Sequence, residues 1–459
     1  MKFRQTTRLL IVAAGLSAAL PDNSPAAPAK PGSQIAVEFS AMRADAIAGW
    51  LGNHLEELVG IYKHLHANPE LSLQERKTAA LVGKALRAAG FEVTAGVGGT
   101  GVVAVLKNGD GPTIMIRGDM DALPIIEQTG LEYASKVELE TPGGGRVGAM
   151  HACGHDVHTT MLIGVGQALS SLREHWSGTA VLVAQPAEEV GKGARMMIAD
   201  GLFERFPKPA ACLSLHVQAD KPAGRIGYRP GWSTANVDSV DITIFGKGGH
   251  GAKPHTTVDP IVVGASLVMN LQTLVSRRLN PIESGVVTVG SFHAGTKHNI
   301  ISSEAELQLT VRSHSDEVRE LLIDGIAQIA SDTCRIWGCP EPPEVLVAEH
   351  YTPAGYNDPE LTRSAAELFR ELFGADKVEE NPPTTGGEDF GRYARHLGVP
   401  GLQYAIGSIP PELYEAAQQP GAAPLPSLHS ALYAPDAEPT LHGAVNSMAN
   451  LAMALMQAP

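Results

Sequence analysis

The sequence predicts an α/β fold: a mainly parallel sheet flanked by helices, with a smaller ferredoxin-like domain inserted into it. Three segments, "TIMIRGD" (113–119), "TAVLVAQP" (179–186) and "ACLSLHV" (211–217), are short and largely apolar, as strands buried on both faces are. Helical segments such as 158–172 separate them. Beyond residue 235 the element order changes, which indicates an inserted domain.

The first 29 residues have the layout of a secretory signal peptide. Lys2, Arg4 and Arg8 precede an apolar run over 9–20 and a Pro/Ala/Ser-rich stretch ending at 27–29. A disordered tail is the alternative. The signal peptide predicts a periplasmic or secreted protein whose net charge falls from −14 to about −16 after cleavage. This acidic balance argues against nucleic acid and anionic membrane surfaces as partners.

The first catalytic segment is expected over 30–234. Within it, "SLQERKTAALVGKALRAAG" reads as a helix, with Ser72 and Glu75 as a capping box and Gly90 as its C-terminal stop. Polar side chains follow the three predicted strands. They are Asp119 and Asp121, then Glu188 and Glu189, then His216. Because the carboxyl ends of parallel strands meet at one sheet edge, we expect these side chains to converge.

The insert is predicted over 235–350 and carries a strand-helix-strand-strand-helix-strand order of ferredoxin-like type. Its helix near 260–279 begins at Asp259-Pro260, with proline in the first turn. The other elements are strands from 236 and near 285–292, 304–312 and 344–350, and a helix near 315–336. Residues 351–459 return to the catalytic domain.

The segment "HACGHDVH" (151–158) places Cys153 and His155 two positions apart. Thiolate and imidazole are ligands for zinc and similar ions, but two ligands do not make a site. Glu188-Glu189, His216 and His429 in "PSLHSALY" supply further ligand types. Taken alone, the glutamates could be solvated charge and His216 a core histidine.

The protein has four cysteines. Cys334 and Cys339, separated by "RIWG", can pair in an oxidising compartment, or both can stay reduced and buried. The sequence leaves both alternatives open.

Five ordered motifs carry a family resemblance: "RGDMDALPI", "MHACGHDVHT", "QPAEE", "GKGGHGAKPH" and "GGEDFG". The chain resembles the aminoacylase and carboxypeptidase-G superfamily of two-metal hydrolases over roughly 45–455. Its motifs are most similar to those of the amidohydrolase branch, which includes hippurate hydrolases and indole-acetyl-amino-acid hydrolases. The resemblance implies an inserted lid domain that serves as a dimerisation surface, and so a homodimer.

The resemblance also implies a set of ligands for two divalent ions. They are Cys153, His155, Glu189, His216 and His429, with Cys153 in the bridging position. Glu188 then corresponds to the general base. Zinc suits these ligands, and manganese, cobalt or nickel also occupy such mixed sites.

Further positions match the family's supporting residues. Asp119 and Asp121 would orient ligands from behind, with loop capping as the alternative. His250 would help to polarise the scissile carbonyl, sometimes in the partner subunit's site, although alone it reads as a turn residue. Asn299 and Arg312 would hold the substrate's α-carboxylate.

These implications predict an exported metal-dependent amidohydrolase that cleaves N-acyl amino acids or similar small conjugates. A dipeptidase or carboxypeptidase on the same scaffold is the alternative within enzymes. A metal- or solute-binding protein without catalysis is disfavoured because Glu188 accompanies every expected ligand. A structural zinc protein is disfavoured because the ligands spread from 153 to 429.

Overall fold

The computed structural model of the protein describes residues 37–140 and 145–456. The predicted signal peptide, 1–29, lies outside these residues. Among the helices described, none combines the length and apolar character needed to cross a membrane.

The first catalytic segment supplies most of the central sheet. Its helices are α1 (Ala41–Ala67), α2 (Arg76–Ala88), α3 (His155–Ser171), α4 (Gly193–Ala199) and α5 (Leu202–Arg205). Its strands are β1 (Glu92–Val97), β2 (Gly101–Asn108), β3 (Thr113–Asp119), β4 (Glu138–Glu140), β5 (Arg146–Gly148), β6 (Gly178–Gln185), β7 (Ala211–Pro222), β8 (Ile226–Tyr228) and β9 (Gly231–Trp232). The three predicted apolar strands are β3, β6 and β7.

The start of α2 differs from the prediction, because Ser72 and Glu75 do not form a capping box. The Ser72 hydroxyl donates to Asp121 Oδ2 at 2.6 Å, and the Glu75 side chain faces the turn after β6. The Glu70 carboxylate instead accepts the backbone N–H groups of residues 77 and 78, at 3.1 and 2.8 Å. The first turn of α2 is therefore capped by Glu70 and not by the predicted pair Ser72 and Glu75.

The inserted lid contains β10 (Asn236–Phe245), β11 (Gly249–His250), α6 (Pro260–Thr273), β12 (Gly285–Ala294), β13 (Ile300–Ile301), β14 (Glu304–Ser313), α7 (Asp316–Trp337) and β15 (Glu344–Val347). Its antiparallel sheet has the order β12-β14-β10-β15, as the ferredoxin-like prediction requires. Asp259 caps α6 through the Ile261 N–H, with Pro260 in the first turn as predicted. Alternate residues of β10 and β14 are buried against α6 and α7.

The second catalytic segment contains β16 (Tyr356–Asn357), α8 (Pro359–Phe373), β17 (Val378–Glu380), α9 (Gly391–Leu397), β18 (Gly401–Ile409), α10 (Pro411–Ala417) and α11 (Ala437–Leu455). Strand β18 lies between β7 and β8 and so joins both segments in one sheet, of order β1-β2-β6-β3-β7-β18-β8-β17. The central strands β6, β3, β7 and β18 are parallel, and the α/β prediction is confirmed.

Helices α1, α3 and α11 pack together over one face of the sheet, and α4 and α9 cover part of the other. Both faces of the sheet are therefore covered. Because β3, β6 and β7 are parallel, their carboxyl ends open at the same edge of the sheet. The polar residues that follow these strands lie there.

Candidate metal centre

The cysteine- and histidine-rich segment reaches the sheet edge through a close approach at Gly154. This glycine has φ +74° and directly precedes α3. A β-carbon there would lie 2.4 Å from Val217 Cγ2, so a larger residue would push the segment away from β7. The approach brings Cys153 Sγ to 3.6 Å from His216 Nε2.

Two groups of ligand atoms meet at this edge, and they share one residue. Cys153, His155 and His216 form one group, and Cys153, Glu189 and His429 form the other, with the atoms of each group within 4.8 Å of one another. The structure thus brings together all five residues of the predicted ligand set. Cys153 belongs to both groups, which is the geometry that a bridging ligand needs.

His155 presents one ring nitrogen to this cluster. Its Nδ1 lies 2.9 Å from the Asp121 backbone oxygen and 3.2 Å from Asp121 Oδ1, which leaves Nε2 facing the other ligands. His155 Nε2 and Glu189 Oε1 are buried and have no hydrogen-bond partner within the described chain. Since buried polar atoms are normally paired, an imidazole nitrogen and a carboxylate oxygen without hydrogen-bond partners fit a metal ion.

Asp121 stands behind two ligands at once. Besides His155, its carboxylate accepts the Glu189 N–H at 3.0 Å. This arrangement is consistent with the orienting role predicted for it.

His216 presents Nε2 to the cluster, where Cys153 Sγ is its neighbour. Its Nδ1 lies 2.7 Å from the Val217 carbonyl oxygen. Burial, helped by the nearby His158 ring, lowers the pKa of His216 to about 4. A neutral imidazole with its proton on Nδ1 offers Nε2 to a metal.

His429 reaches the cluster from the second catalytic segment. Its backbone has φ +66°, in the left-handed region that residues other than glycine rarely adopt. Its N–H donates to the Ala152 carbonyl at 2.8 Å, and its Nε2 lies 3.5 Å from Glu189 Oε2. The imidazole is half exposed and so forms the outer wall of the centre.

Glu188 lies between the ligands and a second acidic group. It belongs to one cluster with His155 and Glu189 and to another with Glu388 and Asp389. Burial raises the pKa of Glu188 well above its usual range, and the two carboxylates of the second cluster raise it further. A carboxylate that binds a proton more readily is suited to general acid–base chemistry.

Sequence reasoning missed the ion network beneath the centre. Arg117, fully buried in β3, donates to Asp119 at 2.6 Å, to Glu388 at 2.8 Å and to Asp389 at 3.3 Å. Arg117, together with His155 and His158, holds the pKa of Asp119 well below its usual range although burial opposes this. An arginine inside an otherwise apolar strand was the available signal, because a buried guanidinium needs carboxylates.

His158 was also missed, and it is placed as a support. Its Nδ1 lies 2.6 Å from Asp119 Oδ1, and its Nε2 accepts the Val217 N–H at 2.9 Å. With both nitrogens engaged, His158 links Asp119 to the strand end that carries His216.

A third support lies behind α3. His66, at the end of α1, contacts Asp156 Oδ2 at 2.7 Å and Glu127 Oε1 at 3.0 Å, and its side chain is fully buried. Although burial opposes the charged form, hydrogen bonds to these two carboxylates raise the pKa of His66 to about 10. A protonated His66 thus ties the start of α3 to the loop that precedes β4.

The predicted lid residues occupy two places. His250 and Asn299 are both exposed. They lie close together, since the Gly251 N–H donates to the backbone carbonyl oxygen of Asn299 at 2.9 Å. Within the described residues, no hydrogen bond or ion pair joins either of them to the ligand cluster. Arg312 projects toward the catalytic domain, where Nη1 would lie 3.7 Å from a β-carbon at Gly387.

Comparison with known proteins gives concordant matches. The family model described as Peptidase family M20/M25/M40 matches residues 115–420. The hippurate hydrolase of Campylobacter jejuni is 38% identical over 338 residues, 73% of this chain and 84% of the relative. Thermostable carboxypeptidase 2 of Saccharolobus solfataricus is 36% identical over 355 residues, 76% of this chain and 86% of the relative.

A solved structure extends the likeness to the whole fold. The YXEP protein of Bacillus subtilis, described as a dinuclear metal binding peptidase from the M20 family, has a TM-score of 0.71 and 30% identity. The match covers 88% of this chain and 99% of that one.

Proposed function

This chain belongs to peptidase family M20/M25/M40 and is a hydrolase acting on amides, and we propose that its substrates are N-acyl amino acids or similar small conjugates. The family resemblance inferred from the five sequence motifs is thereby confirmed. The observation that carries the proposal is the pair of ligand groups sharing Cys153, with Glu188 beside them.

The residues fit two divalent ions, and we propose zinc as the resident metal because thiolate, imidazole and carboxylate are all zinc ligands. Cys153, His155 and His216 would hold one ion, and Cys153, Glu189 and His429 the other. Bound there, the ions would lower the pKa of a water molecule and polarise the scissile carbonyl.

Glu188 is assigned the proton transfers. Its carboxylate takes a proton from the attacking water and delivers it to the leaving amide nitrogen. The buried carboxylates Glu388 and Asp389 favour this role, because their charge makes a protonated Glu188 easier to form.

Substrate positioning is assigned to the lid. Arg312 faces its own catalytic domain, and its guanidinium makes no hydrogen bond in the part of the chain that the structure describes. It is therefore available to bind the α-carboxylate of the substrate. His250 lies in the exposed two-stranded sheet of β11 and β13, and Asn299 directly precedes β13. Within the described residues neither side chain hydrogen-bonds to the ligands, which favours their action in the site of a partner subunit.

The lid offers a surface for the homodimer that this assignment requires. Strand β12 lies at the edge of the lid sheet, and the neighbouring α6 exposes Ile261 and Met269, the latter 70% exposed. Phe292 on β12 and Ile300 on β13 extend the apolar surface. Exposed apolar side chains beside an unpaired strand edge are typical of association surfaces.

Export remains part of the proposal, supported by the basic, apolar and small-residue layout of residues 1–29. N-terminal sequencing of the mature protein should find a start near residue 30 in the periplasmic or secreted fraction. An intact Met1 in cytosolic protein would refute export.

The mechanism is tested by two neighbouring substitutions. Glu188→Gln keeps size and hydrogen bonding but cannot accept a proton, so metal content should hold while kcat falls about a hundredfold or more. Glu189→Gln should lose metal, because an amide is a weaker ligand than a carboxylate. If Glu188→Gln loses metal and Glu189→Gln keeps it, the two roles are exchanged.

The substrate class is tested by a hydrolysis screen. After reconstitution with each of several divalent metals, the enzyme is offered N-acetyl, N-benzoyl and indole-acetyl amino acids together with dipeptides. Preference for the acylated amino acids supports the amidohydrolase. Preference for dipeptides with a free amine would make the chain a dipeptidase on this scaffold.

A further inference from the structure

We infer that Glu75 is a positioning residue for the general base, holding the turn that carries Glu188 through the backbone N–H of Ala187. This inference rests on the proposed role of Glu188. Glu75 lies 112 positions before Ala187 and contributes no atom to the ligand cluster.

The Glu75 carboxylate is a fully buried acceptor with three donors. Oε1 accepts the Leu73 N–H and the Ala187 N–H, each at 2.8 Å, and Oε2 accepts the Thr100 hydroxyl at 2.5 Å. Three donors from separate segments fix both the position and the plane of this carboxylate. It therefore forms a rigid link between the loop before α2 and the turn after β6.

Both backbone donors on Oε1 come from turns in an unfavourable conformation. Leu73 has φ +69° and Ala187 has φ +51°, where side chains crowd the backbone. Such conformations persist only where surrounding contacts hold them. For Ala187, the hydrogen bond to Glu75 is such a contact, and Glu188 is the next residue.

Glu188 depends on this turn more than Glu189 does. The Glu189 N–H is held directly by the Asp121 carboxylate at 3.0 Å. In the described part of the chain, no side chain donates a hydrogen bond to the Glu188 carboxylate. Its placement is therefore set by the backbone, which Glu75 holds one residue away.

The test is to remove the acceptor and to measure kcat, KM and bound metal separately. Glu75→Ala should lower kcat about 10- to 100-fold, since small misplacements of a reacting group carry penalties of that size. KM and metal content should stay near those of the wild type. Glu75→Gln, which keeps an oxygen for both N–H groups, should restore most of kcat.

Two further variants keep the test decisive. Thr100→Val removes one donor and leaves Glu75 in place, so it should give a smaller fall in kcat even if Glu75→Ala does not fold. Glu70→Ala is the matched control, because that carboxylate caps α2 from the same loop without reaching the Glu188 turn. It should reduce thermal stability and leave kcat unchanged.

The inference is overturned if Glu75→Ala retains wild-type kcat, if its activity falls only in proportion to lost metal, or if Glu70→Ala loses kcat equally. These outcomes leave the proposed function standing. Failure of that function has a different signature, in which Glu188→Gln is as active as the wild type.

Discussion

Replacing Arg117 by methionine should destabilise the protein strongly, because it removes a cation from among three buried carboxylates. Arg117 is fully buried and hydrogen-bonds Asp119, Glu388 and Asp389. Methionine fills similar volume but leaves these groups without their guanidinium. Breaking a buried ion pair from one side costs about 3–5 kcal/mol, and we expect a loss of unfolding free energy in this range at pH 8.

The loss should shrink as the pH falls. In the wild type, Arg117 lowers the pKa of Asp119 and Glu388 against the effect of burial, so their stabilising contribution is present above about pH 4. Without the guanidinium, burial and mutual repulsion should raise these pKa values. The carboxylates then take up protons at moderately acidic pH, and protonation relieves the penalty.

Urea unfolding followed by tryptophan fluorescence at pH 5 and pH 8, with equal metal loading, measures both effects. Arg335→Met is the matched control, because Arg335 pairs with Asp332 at 3.1 Å on the exposed surface of α7. Exposed pairs of this kind contribute about 0.2–1 kcal/mol. A loss for Arg117→Met no larger than the control's, or a loss independent of pH, would refute the reasoning.

Three further predictions concern other parts of the molecule. The wild type should lose stability between pH 7 and pH 10, because folding raises the pKa of His66 to about 10. The stabilising contribution of protonated His66 is complete below about pH 6.5 and is lost as the pH passes about 10. In thermal unfolding measured across this range, His66→Gln should show a flatter dependence of stability on pH. Arg312→Ala should weaken binding of substrates with a free α-carboxylate by about 1.5–3 kcal/mol relative to their amides in KM measurements, and an equal loss on both would contradict its assignment. The Cys339 N–H donates to the Cys334 carbonyl oxygen at 2.9 Å, which brings these two free cysteines together near the end of α7. Oxidised glutathione should therefore remove two of the four titratable thiols, and Cys339→Ser should prevent this; four surviving thiols in the wild type would count against pairing.

The features predictable from the sequence are those encoded by neighbouring residues. The apolar strands β3, β6 and β7, the helix start at Asp259-Pro260 and the lid order each follow from local pattern. Glu189 and His216 are predictable as neighbours because the first follows β6 and the second lies on β7, and parallel strands end at one edge.

The unpredicted features are pairings between distant positions. Arg117 and Glu388 are 271 residues apart, and no local pattern names one as the partner of the other. The same physics explains the wrong capping box. Ser72 had a local acceptor role available as a helix cap, but its hydroxyl instead donates a hydrogen bond to the buried Asp121 carboxylate. A buried charge with too few donors is more costly than a missing cap.

Backbone conformation around the centre was equally hidden. In the described residues, three positions other than glycine have positive φ: Leu73, Ala187 and His429. A left-handed conformation costs such residues about 1 kcal/mol or more, and sequence rules reserve it for glycine. Each is held by a hydrogen bond from its own N–H, to Glu75 for the first two and to the Ala152 carbonyl for His429. Ala187 directly precedes the proposed base, His429 is a proposed metal ligand, and Leu73 donates to the same Glu75 carboxylate as Ala187. The backbone strain is therefore concentrated where side-chain placement matters most. These hydrogen bonds offset the conformational cost of the left-handed backbone, and the proposed chemistry depends on them because they position the base and a ligand.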